Sequence, residues 1–207
     1  MFLSLSAEHD RAGSTYSSLY GEYGLGPRKT LGVELGYTDQ GETTALMWLQ
    51  TTLDKPEWTN RFAVSAGLGA VERDGVYTPL GQIKAGWGRG IEALPGGGWI
   101  SAEASFRVTG TFETARVRQG WVTYETTYLT PEKSGKAEVT LGFRPRDSLM
   151  LINQLRLEQR DDTGFSGSLA ISTVYDAPGP AQIEMGFVAP VTGQGEEAIK
   201  LGTWLAF

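Results

Sequence analysis

The chain has 207 residues, no cysteine, 28 glycines, 20% charged residues and a formal net charge of -6 at pH 7. Disulfides and Cys-based metal sites are excluded, and an acidic balance argues against nucleic acid, which calls for a basic face. No run reaches the roughly 18 to 20 apolar residues of a membrane helix, so a membrane-spanning chain of this sequence would have to be a barrel. Read in order, the residues alternate with a period of two, the signature of strands. Phe2 to Glu8 alternates weakly and is followed by a polar loop at Asp10 to Ser14. Tyr16 to Leu25 sets Leu19, Gly21, Tyr23 and Leu25 against Tyr20, Glu22 and Gly24, and Gly26-Pro27-Arg28-Lys29 turns the chain. Thr30 to Thr38 is the cleanest case, with Leu31, Val33, Leu35 and Tyr37 opposed to Gly32, Glu34 and Gly36. Thr44 to Leu53 makes a fourth strand, and Asp54 to Asn60, with Pro56 and Trp58, a turn.

A fifth strand carries Phe62, Val64, Ala66, Leu68 and Ala70 on one face and ends at Arg73-Asp74-Gly75. In Leu80 to Ala93, Ile83, Ala85, Trp87 and Ile91 oppose Gln82, Lys84, Gly86, Gly88, Gly90 and Glu92. Arg89 interrupts the apolar face, as an arginine at a membrane interface would with its head snorkelling to water. After Pro95-Gly96-Gly97-Gly98 comes Trp99 to Val108. Thr109 to Lys136 reads either as one long excursion or as an extra hairpin near Phe112 to Arg118 and Gly120 to Leu129. The alternation returns with Ala137, Val139, Leu141 and Phe143, and continues through Leu149 to Glu158, Phe165 to Tyr175, Ile183 to Val191 and Ile199 to Phe207. Twelve strands are expected, or fourteen with the extra hairpin. With no shift of composition to mark a linker, residues 1–207 are expected to form one domain.

The last stretch is unusual, because Ile199, Leu201, Thr203, Leu205 and Phe207 share a face up to the final residue, where chain ends are usually polar. This pattern resembles the C-terminal signal of Gram-negative outer-membrane β-barrels. The stretch LYGEYGLGPRKTLGVELGY resembles the strand, short periplasmic turn, strand units of porin-like families, including transporters associated with aromatic-compound degradation, and LGFRPRDSLML resembles such a turn as well. The resemblance implies an all-β fold, a closed up-and-down antiparallel transmembrane barrel in the outer membrane, with short periplasmic turns and longer outer loops. It makes Leu201, Thr203, Leu205 and Phe207 the membrane-insertion signal, with outer-membrane lipids and the barrel-assembly machinery as partners. Met1 to Ser6 lacks the basic start and cleavage site of a secretory leader, so this reading expects a leader already removed and Met1 added. A cytosolic β protein with its native start is the competing reading.

In a membrane barrel the apolar face meets lipid and the polar face lines the lumen. The polar-face residues are Glu22, Glu34, Arg61, Lys84, Glu103, Arg107, Glu138, Arg144, Arg156, Glu158, Glu184 and Lys200, and they are the expected pore lining. Both signs occur in near balance, which suggests cross-barrel pairs and a narrow, weakly selective path for small solutes. Tyr and Trp near strand ends fit aromatic girdles.

No catalytic, cofactor or metal site is expected. His9, the only histidine, sits in Glu8-His9-Asp10 without the His-x-Ser unit of barrel lipid hydrolases. Gly86-Trp87-Gly88-Arg89-Gly90 lacks the Lys-Ser/Thr of a phosphate loop and reads as small residues on a lumen face. Asp161-Asp162 lacks EF-hand spacing. Four functions are compatible: a passive porin-like channel, favoured here; a barrel enzyme acting on lipids; a closed structural or adhesive barrel; and a soluble barrel binding an apolar ligand inside.

Overall fold

The structure, a computed structural model, describes every residue except Pro56, Gly120, Trp121 and Asp162, and only the backbone at Thr111, Val117, Gln119, Val122, Thr123, Tyr124 and Thr126. Pro56 of the expected turn, Gly120 of the possible extra hairpin and Asp162 of the acidic pair thus lie outside the described residues. Among those described, the alternation becomes twelve strands and no helix. They are β1 Phe2–Asp10, β2 Thr15–Gly26, β3 Lys29–Thr38, β4 Glu42–Thr52, β5 Asn60–Arg73, β6 Val76–Ile91, β7 Gly98–Gln119, β8 Val122–Arg146, β9 Leu149–Arg160, β10 Gly164–Asp176, β11 Ala181–Thr192 and β12 Ala198–Ala206. Each pairs antiparallel with its sequence neighbours, and β1 pairs with β12 from Phe2↔Ala206 to Asp10↔Ala198, so the sheet is a closed barrel. Closure removes the strand edges that lipid could not satisfy.

The two termini meet at one end of the barrel, the near end, where the Met1 ammonium donates to the Phe207 carbonyl at 3.0 Å and the Phe207 N–H to the Met1 carbonyl at 2.9 Å. At the far end, β5 reverses into β6 through Asp74 and Gly75, with φ of 52° and 78°. Two positive φ values make the primed turn whose twist suits a hairpin. The expectation of longer loops on one side needs correction. Far-end connections such as 39–41, 74–75 and 161–163 are no longer than near-end ones such as 53–59 and 92–97. The far end gains its reach from strands instead. Pairing of β6 with β7 stops at Gly81↔Val108 and that of β9 with β8 at Arg160↔Ser134, while β7 and β8 stay paired to Gln119↔Val122. Residues 109–119 and 122–133 are therefore the projecting continuation of two barrel strands, and the count among the described residues is twelve rather than fourteen. Pro79, which has no N–H to donate, stands where the β6–β7 ladder ends, and its carbonyl takes the Thr109 hydroxyl at 3.2 Å.

The apolar face points outward: Leu35, Leu49, Leu68, Ile83, Ile171, Met185 and Leu201 are all exposed. Glu184, Gln82, Ser172 and Thr78, on the opposite parity, are buried inside. This arrangement inverts a soluble core and rules against the apolar-lined soluble barrel. Outward aromatics gather at strand ends, with Tyr23, Phe62 and Tyr175 toward the near end and Tyr37, Tyr77 and Phe165 toward the far end, all exposed. Arg89 lies on the outward parity at the near rim, opposite Asn60, the first residue of β5.

Candidate pore

All the polar-face residues named from sequence fall on the inward parity. Several are brought together. The Arg107 guanidinium reaches from β7 to Glu34 of β3 at 2.9 Å while its Nε–H donates to Gln82. Lys84 meets Glu103 at 2.6 Å, and Lys200 meets Glu184 at 2.9 Å. Arg156 and Glu138 are joined through Gln154, whose amide donates to Glu138 at 2.6 Å and whose carbonyl accepts from Arg156 Nε at 2.6 Å. Glu158 pairs with Lys136 at 3.3 Å, and Glu22 accepts from the Tyr20 hydroxyl.

Arg61 and Arg144 sit apart from this group, toward the near end. Arg61 binds Asp54 of the β4–β5 turn and Arg144 binds Asp176, both at 2.8 Å. Asp54 also accepts the Phe62 N–H at 2.9 Å, and these two bonds, Arg61's the stronger, hold its carboxyl below the ordinary carboxylate range.

Sequence reading missed several partners. Glu8 of β1 accepts Arg156 of β9 at 2.9 Å across the lumen, and Arg73 binds both Glu42 at 2.7 Å and Glu132 at 2.8 Å. The signal was present: Glu8 continues the polar face of Ser4 and Ser6, and Arg73 that of Ser65. What the alternation could not reveal was which strands stand opposite each other. The cross-lumen pairs are about a third exposed or less, so their attraction is screened less than in fully exposed pairs, which contribute about 0.2–1 kcal/mol.

Arg107, Glu138, Arg156, Glu158 and Lys200, with Glu8, Glu42 and Arg73, line a cavity of about 800 Å³ in the far half of the lumen. It runs from Asp10, Asp39 and Glu42 near the far end to Glu138, Gln154 and Lys200 deeper in, whereas Glu22, Glu34, Arg61, Lys84, Glu103, Arg144 and Glu184 do not line it. Below it apolar rings share the lumen with Glu22, Glu184, Arg61 and Arg144, a filling that the polar-face reading did not anticipate. Trp48, Tyr20, Phe2 and Trp204 form a run of ring contacts with centroids 5.9 to 6.4 Å apart. Trp204 and Trp99 then pack on Met150, Ile152 and Val174. Trp48, Trp99 and Trp204 thus face inward rather than joining the girdles. Each of two inward glycines makes room for one of these rings: a Cβ at Gly32 would lie 2.0 Å from Trp48, and one at Gly142 would lie 2.3 Å from Trp99. An aromatic covering a cross-strand glycine is a recurrent way to pin register in a barrel.

His9 lies on the outward parity of β1, exposed, with Nδ1 2.9 Å from the Thr15 hydroxyl, and it does not line the cavity. Among the described residues no group of three or more His, Cys, Asp or Glu side chains is placed to hold a metal ion, and no helix is long and apolar enough to cross a membrane.

No known protein family matches the chain by sequence, and no curated protein does. Solved structures match in fold. The NanC porin aligns with a TM-score of 0.64 at 8% identity, over 99% of this chain and 100% of that one. An outer-membrane channel from Pseudomonas putida F1 gives 0.64 at 11% identity, over 100% and 94%. The KdgM porin in complex with disordered oligogalacturonate gives 0.61 at 7% identity, over 100% and 99%. Identity this low carries the architecture alone, and the architecture is the closed antiparallel β-barrel of outer-membrane porins.

Proposed function

We propose that this barrel is a passive channel for small polar solutes in the outer membrane of a Gram-negative bacterium. Solutes enter the far vestibule and diffuse past paired charges without a cofactor. The polar-face residues of the lumen, from Glu22 to Lys200, line the path, with lipid bathing the outer face. The observation that carries this reading is the inversion of faces: an exposed apolar belt outside and paired charges around a cavity of about 800 Å³ inside. A closed barrel offers water only its lumen, and twelve strands enclose more than the roughly eight whose side chains fill the interior.

The aromatic run below the vestibule favours one alternative, a barrel closed for structural purposes. A lipid hydrolase finds no support at His9, which faces away from the cavity. The chain refolded in detergent and inserted into planar bilayers is expected to give steady ohmic conductance steps. Folded, inserted protein with no conductance would overturn the channel and favour the closed barrel.

A further inference from the structure

The inward glycines differ in what lies over them. Over most of one arc, from β8 round through β12 to β3, they are covered: Gly32 by Trp48, Gly142 by Trp99, Gly186 by Ser172 and Gly202 by Glu184, each with a side chain 3.1 Å or less from where a Cβ would stand, while Gly24 near the end of β2 is open. On β6 they are open. A Cβ at Gly86, Gly88 or Gly90 would meet nothing nearer than 3.7 Å, and every atom it met would belong to β7, the adjoining strand. No side chain reaches over these glycines from the rest of the lumen.

The charges above them tell the same story. Lys84 and Glu103 are 32% and 42% exposed, whereas Lys200 and Glu184, a pair of the same kind on the other arc, are 17% and 2% exposed. Space that water can enter therefore adjoins Lys84 and Glu103 and continues down the bare face of β6. Arg61, which stands opposite Gly88 in the β5–β6 ladder, is drawn aside to Asp54. Glu138, directly opposite Glu103 in the β7–β8 ladder, links this lane to the vestibule floor.

We infer that solutes leave the vestibule by an eccentric lane over Gly86, Gly88 and Gly90, beside the aromatic run, and that the Lys84–Glu103 pair at its mouth sets charge preference. The inference rests on the channel reading above and gives the glycine-rich stretch of β6 a role. Pore width and the charges lining it govern passage, so bare backbone is what a narrow path requires. The solutes it suits are small and polar, of either sign, since the pair offers one charge of each.

The natural absence of cysteine permits a direct test. Gly88→Cys and, on the covered arc, Ser172→Cys are refolded, and single-channel conductance is recorded before and after a cationic methanethiosulfonate, with labelling followed by mass. Modified Gly88→Cys is expected to conduct at about half the starting level or less, while Ser172→Cys stays unlabelled and unchanged. Conducting Gly88→Cys that escapes labelling, or is labelled without loss of conductance, would overturn the lane. Absence of conductance from the unmodified chain would instead overturn the channel itself. In a salt gradient, Glu103→Gln is expected to move the reversal potential toward anions and Lys84→Gln toward cations. Identical potentials in both would remove the pair from the selectivity role.

Discussion

Glu184 is the side chain on which the covered arc depends. At 2% exposure it takes Lys200 at 2.9 Å and the Trp204 indole N–H at 3.2 Å, so one buried carboxylate satisfies a part-buried cation and a part-buried donor. Glu184→Ala leaves both behind. Breaking a buried pair by removing one partner costs about 3–5 kcal/mol, and that loss is expected in reversible urea unfolding of the lipid-inserted barrel. Glu184→Gln, which keeps an acceptor for Trp204, is expected to lose less. An equal loss in both variants would reduce the role of Trp204 to packing. Asp54, also buried, makes a pH-dependent contribution from the β4–β5 turn. Its carboxyl titrates below the ordinary carboxylate value because Arg61 and the Phe62 N–H bind the charged form. Its stabilisation is thus complete above that ordinary value and disappears as pH falls through the lowered one. Nicking of the β4–β5 turn by an acid-active protease is expected to rise over that acidic window, and Asp54→Asn is expected to be nicked readily throughout.

At the scale of elements, the β7–β8 hairpin is the part least tied to the rest. Beyond Val108 and Ser134 it is a two-stranded ribbon, and such ribbons are marginal by themselves. The Arg73–Glu132 bond at 2.8 Å fastens its root to β5. Removing residues 112–129 is expected to leave a barrel that still shifts in heat-modifiability gels, while loss of the folded band would make the hairpin part of the folding unit. The strands themselves were legible because period two is enforced on both faces: Leu31, Val33, Leu35 and Tyr37 cannot face water any more than Glu34 can face lipid. The hairpin was ambiguous because, outside the barrel, nothing demands that one face be apolar. Trp48, Leu46 and Val71 inside the lumen were illegible for a related reason. An inward position needs only a partner that fits, and Gly32 beneath Trp48 satisfies that need as well as a charge would.

For the whole molecule, closure is the property that matters, and the last strand makes it. β12 pairs with β11 and β1, with Leu201 outward and Lys200 inward, and Phe207 ends 70% exposed at the near rim. If Leu201, Thr203, Leu205 and Phe207 form the insertion signal proposed from the sequence, deleting Phe207 is expected to lower assembly in cells several-fold while refolding in detergent proceeds at its usual yield. Equal loss in both settings would mean that Phe207 serves folding and carries no signal for assembly machinery. The Phe2–Trp204 ring contact, with centroids 6.1 Å apart, lies directly across the seam where the first strand meets the last. That places a native fluorophore on the final joint of the structure. With the other indoles replaced, Trp204 emission during refolding would time the moment when an open sheet becomes a ring, separately from the growth of strand content that circular dichroism records.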